Sequence, residues 1–239
     1  MIGPSTQPFS AETHLVPSRL GDDVREYCQA VLRYLRWPAA GGEQSEGDAA
    51  APAVRTLGVT SCSRQEGVST VASRLAMTAA EMHEGAVLLV DANLVCPMLH
   101  DMFDIDLSPG LSESLLNPGA LPTCVQPSGY DNLEVLAAGE PNGSLPKAFD
   151  TDGIQKVIAA IEREYALIVF DMPPAGQQSA ALRLAGLLDA VIIVVEAERT
   201  RFEVARRARQ LLERAGASVR GAVLNKRRYY VPKWLYRKL

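Results

Sequence analysis

Val54-Arg55-Thr56-Leu57-Gly58-Val59-Thr60-Ser61-Cys62-Ser63-Arg64-Gln65-Glu66-Gly67-Val68-Ser69-Thr70-Val71 is the stretch on which the reading of this chain turns. It runs from an apolar strand through a short polar turn into Gly-x-Ser-Thr at the start of a helix. That is the form of a phosphate-binding loop, in which backbone N–H groups at a helix start cradle phosphate oxygens. The pattern sought is G-x-x-x-x-G-K-[ST]. Gly67 and the Ser69-Thr70 pair satisfy its end, whereas Val68 stands at the lysine position and Ser61 at the first glycine. Whether a nucleotide site survives these replacements is the question the rest of the chain must answer.

The surrounding composition is that of an ordinary globular protein. The chain has 239 residues, 47% of them hydrophobic, and a formal net charge of −4. That balance gives no global electrostatic case for nucleic acid. No run approaches the ~18 apolar residues of a membrane span, and residues 1–10 lack the basic and apolar regions of a signal peptide. Cys28, Cys62, Cys96 and Cys124 are scattered without a C-x-x-C pair, which argues against a metal or disulfide framework and fits a reducing cytoplasm.

Outward from the loop, the order of elements predicts an α/β fold. Residues 1–21 are rich in Pro, Ser and Thr and read as a disordered arm. Residues 22–37 read as an amphipathic helix with Val24, Tyr27, Val31, Tyr34 and Leu35 on one stripe, capped by Asp22 and ended by Pro38. Residues 38–53 read as a flexible linker. From Val54 on, short apolar runs at 57–60, 86–90, 133–136, 167–170, 191–195 and 219–224 alternate with helical patterns at 69–83, 151–164 and 200–214, and a short helix is expected at 110–117. Several runs, such as Val191-Ile192-Ile193-Val194-Val195, are apolar throughout, so the sheet must be covered on both faces. The expected architecture is a doubly wound, mostly parallel sheet in a three-layer sandwich over residues 54–228, followed by a basic-aromatic tail at 229–239.

Ligands of such sheets bind beyond the carboxyl ends of the strands. Two further runs end there on carboxylates: Val87-Leu88-Leu89-Val90-Asp91 and Leu167-Ile168-Val169-Phe170-Asp171-Met172-Pro173-Pro174. A phosphate loop followed by acidic strand ends is the layout that holds Mg²⁺ in P-loop nucleotidases. Either carboxylate could instead cap the turn after its strand. His100 reads as a surface loop residue, and Cys62, inside the loop, as a small buried filler rather than a reactive thiol.

The motifs together resemble the cytoplasmic domain of the bacterial tyrosine autokinases (BY-kinases) of capsule and exopolysaccharide systems, relatives of the Min/Par-type ATPases. The family's T-S-x-x-P-G-E-G-K-S-T meets Thr60 to Thr70. Its h-h-h-D-x-D-x-R-x-P-x-x-H meets Leu88 to His100, and G-L-S-[DE]-x-L is found at Gly110 to Leu115. L-x-V-L-P-A-G appears as Leu133 to Gly139, and Y-D-x-V-I-I-D-x-P-P at Tyr165 to Pro174. The runs Asp189 to Val195 and Gly221 to Asn225 complete the order. The resemblance implies a P-loop fold, ATP or ADP with Mg²⁺ as cofactors, and protein-tyrosine autophosphorylation. It implies Asp91 and Asp171 as catalytic residues, Glu66, Gly67, Val68, Ser69, Thr70 and Asn225 around the nucleotide, and Ser69, Asp91 and Asp171 around the metal. It also implies a cytoplasmic protein at the inner membrane. Its partners would be a membrane adaptor or co-polymerase of a polysaccharide export system and a homo- or hetero-oligomer with a related kinase. The tail would touch anionic membrane, and no nucleic acid is involved.

Departures from that pattern all thin its chemistry. Val68 removes the cation from the phosphates, worth roughly 1.5–3 kcal/mol of binding, or about ten- to a hundredfold in affinity. Gln65 stands where the loop has a glycine and is expected to disturb its backbone. Asn93 replaces the second carboxylate of D-x-D, and Val95 the arginine after it. In the first helix Glu26 remains, but Gln29 and Leu32 stand where the family's assembly segment has arginines. The tyrosine-rich tail is reduced to Tyr229, Tyr230 and Tyr236, and no counterpart of the membrane-spanning portion fused in some members is seen. The chain is thus expected to be a regulatory or scaffolding relative with weak or absent ATPase activity. The alternatives are an active autokinase, with Arg64 or a basic residue from a partner replacing the lysine, and a Min/Par-type positioning ATPase. Pro232 interrupts the terminal amphipathic helix that the last of these needs.

Overall fold

A computed structural model describes residues 22–35, 54–82, 85–140, 153–176 and 179–227. The arm at 1–21, the linker at 38–53 and the tail at 229–239 lie outside the described residues.

A seven-stranded sheet forms the middle layer, in the order β3-β4-β2-β5-β1-β6-β7. Its strands are β1 (Thr56–Ser61), β2 (Val87–Asp91), β3 (Val125–Pro127), β4 (Leu133–Leu136), β5 (Leu167–Asp171), β6 (Ala190–Glu196) and β7 (Val219–Asn225). All neighbours run parallel except β3, which pairs antiparallel with β4 at one edge. The sheet is as expected; β3, too short to announce itself, is the strand the sequence did not reveal. Every residue of β1, β2 and β5 is buried, the consequence of helices on both faces.

One face carries α1 (Asp22–Tyr34), α2 (Val68–Met82) and α3 (Leu99–Phe103). Their core residues, including Leu32, Leu75 and Leu99, pack on Leu57, Val59, Leu89 and Val169. The other face carries α4 (Leu111–Leu116), α5 (Leu121–Cys124), α6 (Gly153–Ile161), α7 (Ser179–Ala185) and α8 (Phe202–Arg214). Here Leu111, Val157, Leu184 and Leu212 pack on Leu88, Ile168, Phe170 and Val191. The expected stripe of the first helix is met in part: Val24 and Val31 pack on the core and Leu35, just past the helix, is buried, joined by Cys28 and Leu32, whereas Tyr27 and Tyr34 are exposed. In α8 Ala208 and Leu212 face inward and Phe202 is 75% exposed. No helix among the described residues is long and apolar enough to cross a membrane.

Because β1, β2, β5, β6 and β7 are parallel neighbours, their last residues share one edge of the sheet. Ser61, Asp91, Asp171, Glu196 and Asn225 are those residues. The start of β1 is fixed independently: Asp189 Oδ2 accepts the N–H groups of Arg55 and Thr56, each at 2.9 Å.

Candidate functional site

The loop from Ser61 to Gly67 leaves β1 and enters α2 at Val68, the first helical residue. Two residues take positive φ: Gln65 at 65° and Gly67 at 92°. The expectation that Gln65 disturbs the loop is not met, since glutamine adopts the left-handed conformation itself, a strain of roughly 1–2 kcal/mol for a residue with a Cβ. Gly67 has no such latitude: a Cβ there would collide with the Asn225 amide. The loop thus ends on a left-handed glycine at the N-terminus of a 15-residue helix, the place where a P-loop presents N–H groups to a phosphate. Val68 brings no charge to it, and its side chain leans on the apolar core of the α1–α2 face.

Glu66 is 1% exposed, and its carboxylate is turned into the protein. Oε2 accepts the N–H groups of Cys62 (2.7 Å) and Ser63 (2.8 Å). Oε1 accepts the Thr200 hydroxyl and, at 3.5 Å, the Glu196 N–H. Buried charge is tolerated when it is this fully hydrogen-bonded. The side chain braces the loop against the turn after β6, and what Glu66 offers a ligand is its main chain. Burial, and then the Glu66 carboxylate, push the half-buried Cys62 thiol up to about 11, which removes the nucleophilic thiolate at neutral pH.

Asp91 and Asp171 face each other in register on β2 and β5. Asp91 is engaged by its own loop: Oδ2 accepts Met98 N–H (2.9 Å) and Leu99 N–H (3.0 Å), and Oδ1 accepts Asn93 N–H (3.1 Å). Burial raises its carboxyl to about 6 despite those donors. Asp171 has no such backbone donors. Both its oxygens are buried with no hydrogen-bond partner among the described residues. Burial, and then the neighbouring Asp91, hold its carboxyl well above the usual range. Ser69, in the first turn of α2, moderates that shift without closing a hydrogen bond to either oxygen.

Two bare, buried carboxylate oxygens beside a helix-start serine fit a divalent cation, which would neutralise the pair and supply the missing ligand. No group of three or more His, Cys, Asp or Glu side chains suited to a metal occurs among the described residues. That is compatible with Mg²⁺, which keeps most of its waters.

The sequence-predicted residues Gly67, Val68, Ser69 and Thr70 therefore lie at one helix start, with Asp91, Asp171 and Asn225 at the neighbouring strand ends. Asn225 Nδ2 donates to Glu66 O at 2.9 Å. His100 is not in a loop but in α3, half-buried, with Nε2 3.4 Å from Asp101 Oδ1. The sequence reading missed Thr200, Glu196 and Lys226. Lys226 Nζ donates to Gln65 O and to Glu196 Oε2 (3.3 Å). No spacing rule signals Thr200 or Glu196, and Lys226 reads only as the first of three basic residues, Lys226-Arg227-Arg228, ahead of the tail.

No protein-family model matches the chain. Among curated proteins it is similar to the tyrosine-protein kinase YwqD of Bacillus subtilis, 27% identical over 172 residues, covering 72% of each chain. It is also similar to the tyrosine-protein kinase CpsD of Streptococcus agalactiae, 27% identical over 177 residues, 72% of this chain and 74% of that one. Among solved structures, the chimerical protein CapA2B2 superposes with a TM-score of 0.71 at 25% identity over 76% of this chain and 80% of its own. The VpsO kinase domain does so at 0.68 and 29% identity over 73% and 86%. A likeness of fold alone extends to the septum site-determining protein MinD of Pyrococcus horikoshii, complexed with Mg-ADP, at a TM-score of 0.63 and 22% identity over 77% and 76%. The chain thus resembles, in sequence over 72% of its length and in fold, the kinase domains of the bacterial tyrosine kinases (BY-kinases), on the MinD-like P-loop fold.

Proposed function

We propose that this chain is a degenerate member of that family, acting as a regulatory or scaffolding component of capsule or exopolysaccharide biosynthesis and export, with weak or absent ATP hydrolysis. The observation that carries the proposal is Val68. In a loop whose backbone is otherwise complete, an aliphatic side chain resting on the core stands where the phosphates need a cation. Loss of one preorganised donor to developing charge costs about 10²–10³ in rate. Asn93 removes a candidate base besides.

In this reading residues 54–228 form the P-loop domain, flanked by the arm, the first helix, the linker and the tail. Residues 66–70 would hold the phosphates of ATP or ADP, Asn225 would lie toward the base, and Ser69, Asp91 and Asp171 would hold Mg²⁺. The ion, when bound, supplies charge neutralisation at the phosphates. Asp171 positions it, the loop N–H groups orient the anion, and Asp91 fixes the adjoining loop. The inferred partners are a membrane adaptor or co-polymerase of an export system and a related kinase in a mixed or homo-oligomer. That a solved relative is the chimerical protein CapA2B2 agrees with a partner polypeptide joined to such a domain. The inferred place is the cytoplasmic side of the inner membrane.

A second reading, an active autokinase, is favoured by one observation: the unpaired oxygens of Asp171, which a purely structural site has no reason to leave bare. Turnover decides between them. ATP hydrolysis and phosphotyrosine in residues 229–239 are measured by phosphate release and mass spectrometry for the unmodified protein and for Val68→Lys. The scaffold reading expects neither product from the unmodified chain. Turnover with micromolar affinity in the unmodified protein overturns it.

A further inference from the structure

The helix α8 packs on β6 and β7 with Ala208 and Leu212 inward, and the side it turns to solvent is opposite in sign to the molecule as a whole. The chain carries a net charge of −4. Residues 199–214 hold six arginines against two glutamates, Glu203 and Glu213. Arg199 pairs with Glu196 at 3.2 Å and Arg209 with Glu213 at 2.7 Å. Arg201, Arg206, Arg207 and Arg214 are exposed, and their side chains have no ion pair or hydrogen bond among the described residues.

Three of these four converge. Arg206, Arg207 and Arg214 line one surface groove along α8 with Glu203, Gln210 and Leu211. A merely solvated helix face mixes its signs; here one glutamate stands among three unpaired guanidiniums. The start of the helix adds an apolar point, Phe202, beside Arg201. Free arginines with an uncovered aromatic ring are the chemistry of a surface that meets anionic lipid. The guanidiniums pair with headgroup phosphates, and the ring enters the boundary between headgroups and acyl chains.

The distribution of charge favours a bilayer over an acidic polypeptide. Exposed Asp106 and Asp131 lie beside β3, at the edge of the sheet opposite β7. A negatively charged plane repels that edge and attracts α8, and so orients the whole molecule. The sequence that continues from β7 adds basic and aromatic residues on the same side of the sheet order. We propose that the outward side of α8 docks on an anionic bilayer, with Arg206, Arg207 and Arg214 on lipid phosphates and Phe202 in the interface. The contact is separate from the one expected of the tail, and it does not require that the phosphate loop take a nucleotide.

Co-sedimentation of the full chain with vesicles tests this. The probes are vesicles of phosphatidylglycerol with phosphatidylethanolamine, and neutral vesicles of phosphatidylcholine. The unmodified chain is expected to bind the first and not the second, and to be released by about 1 M salt. An arginine near an anionic surface contributes roughly fivefold in affinity. The double variant Arg206→Gln/Arg207→Gln should therefore bind about twenty- to thirtyfold more weakly, and Arg206→Glu/Arg207→Glu more weakly still. Phe202→Ala should lose about three- to thirtyfold. Arg33→Glu, a charge reversal on α1 across the sheet, should stay within about threefold. Undiminished binding by both double variants would assign the contact to the tail, and equal loss in Arg33→Glu would reduce it to net charge. Failure to bind anionic vesicles, or binding of polyglutamate or duplex DNA in their place, would leave the surface without lipid; each of these results overturns the inference. Thermal unfolding of each variant shows that the comparison is between folded proteins.

Discussion

Asp171→Asn changes one oxygen to an amide nitrogen in the centre of the sheet, and it should flatten the dependence of stability on pH. In the folded protein the Asp171 carboxyl is held well above the usual range by burial and by Asp91, and only Ser69 moderates it. In the unfolded chain it titrates near 3.9. Between those two values the folded state binds a proton that the unfolded state does not. Stability therefore falls as pH rises through that window, by up to about 1.4 kcal/mol per pH unit. Below the unfolded value the penalty vanishes, because both states are protonated. For a chain of this size about 1 kcal/mol moves the unfolding midpoint by roughly 2–4 °C, so the slope is up to about 3–6 °C per pH unit. The amide of the Asp171→Asn variant does not titrate in this range. The assay is thermal unfolding of both proteins, without nucleotide, from pH 5 to pH 8. The variant should lose much of the downward slope and be the more stable of the two at pH 8. Mg²⁺ with ADP should raise the midpoint of the unmodified protein most at high pH and do little for the variant. Parallel curves for the two proteins would refute the assignment of a raised, uncompensated carboxyl to Asp171.

Gly67→Ala combines a backbone at φ 92° with a clash against Asn225; an unfolding midpoint lower by several degrees is expected, and an unchanged midpoint would show that the loop differs. Gln65→Gly relieves a left-handed φ at the cost of unfolded-state entropy, for a net gain of at most about 1 kcal/mol, read as a rise of up to ~4 °C in the same assay. With its thiol pushed up to about 11, Cys62 should alkylate roughly a hundredfold more slowly at pH 8 than a thiol of ordinary acidity. Peptide mapping after brief iodoacetamide treatment should find label on exposed Cys96 first.

The sheet was legible because its strands are continuous apolar runs, and only a doubly covered sheet buries both faces of Val191–Val195. The phosphate loop and the two acidic strand ends were legible because each follows such a run. Elements too short to repeat a period were not: β3 spans three residues, α5 four and α3 five. In the first helix the stripe was right at Val24, Val31 and Leu35 and wrong at the two tyrosines, which are exposed. Leu32, which reads as a lost arginine in the comparison with the family, is one of the most deeply buried residues of the helix. The contacts that bind the loop to the rest of the molecule were illegible for a different reason. Glu66 meets Thr200 across 134 residues, and Asn225 reaches back 159 to Glu66. Such pairs exist only once the sheet has brought β6 and β7 beside β1.

Three backbone N–H groups converge on Asp91 and make that carboxylate the splice between β2 and α3. A protein that never handled a phosphate would still need it, because the chain between residues 91 and 99 has nothing else so well suited to turn around. The presence of this aspartate is therefore no testimony to catalysis. Asp171, which nothing in the surrounding architecture requires to be charged, is the better witness: what becomes of its two bare oxygens distinguishes an idle relic from a working engine.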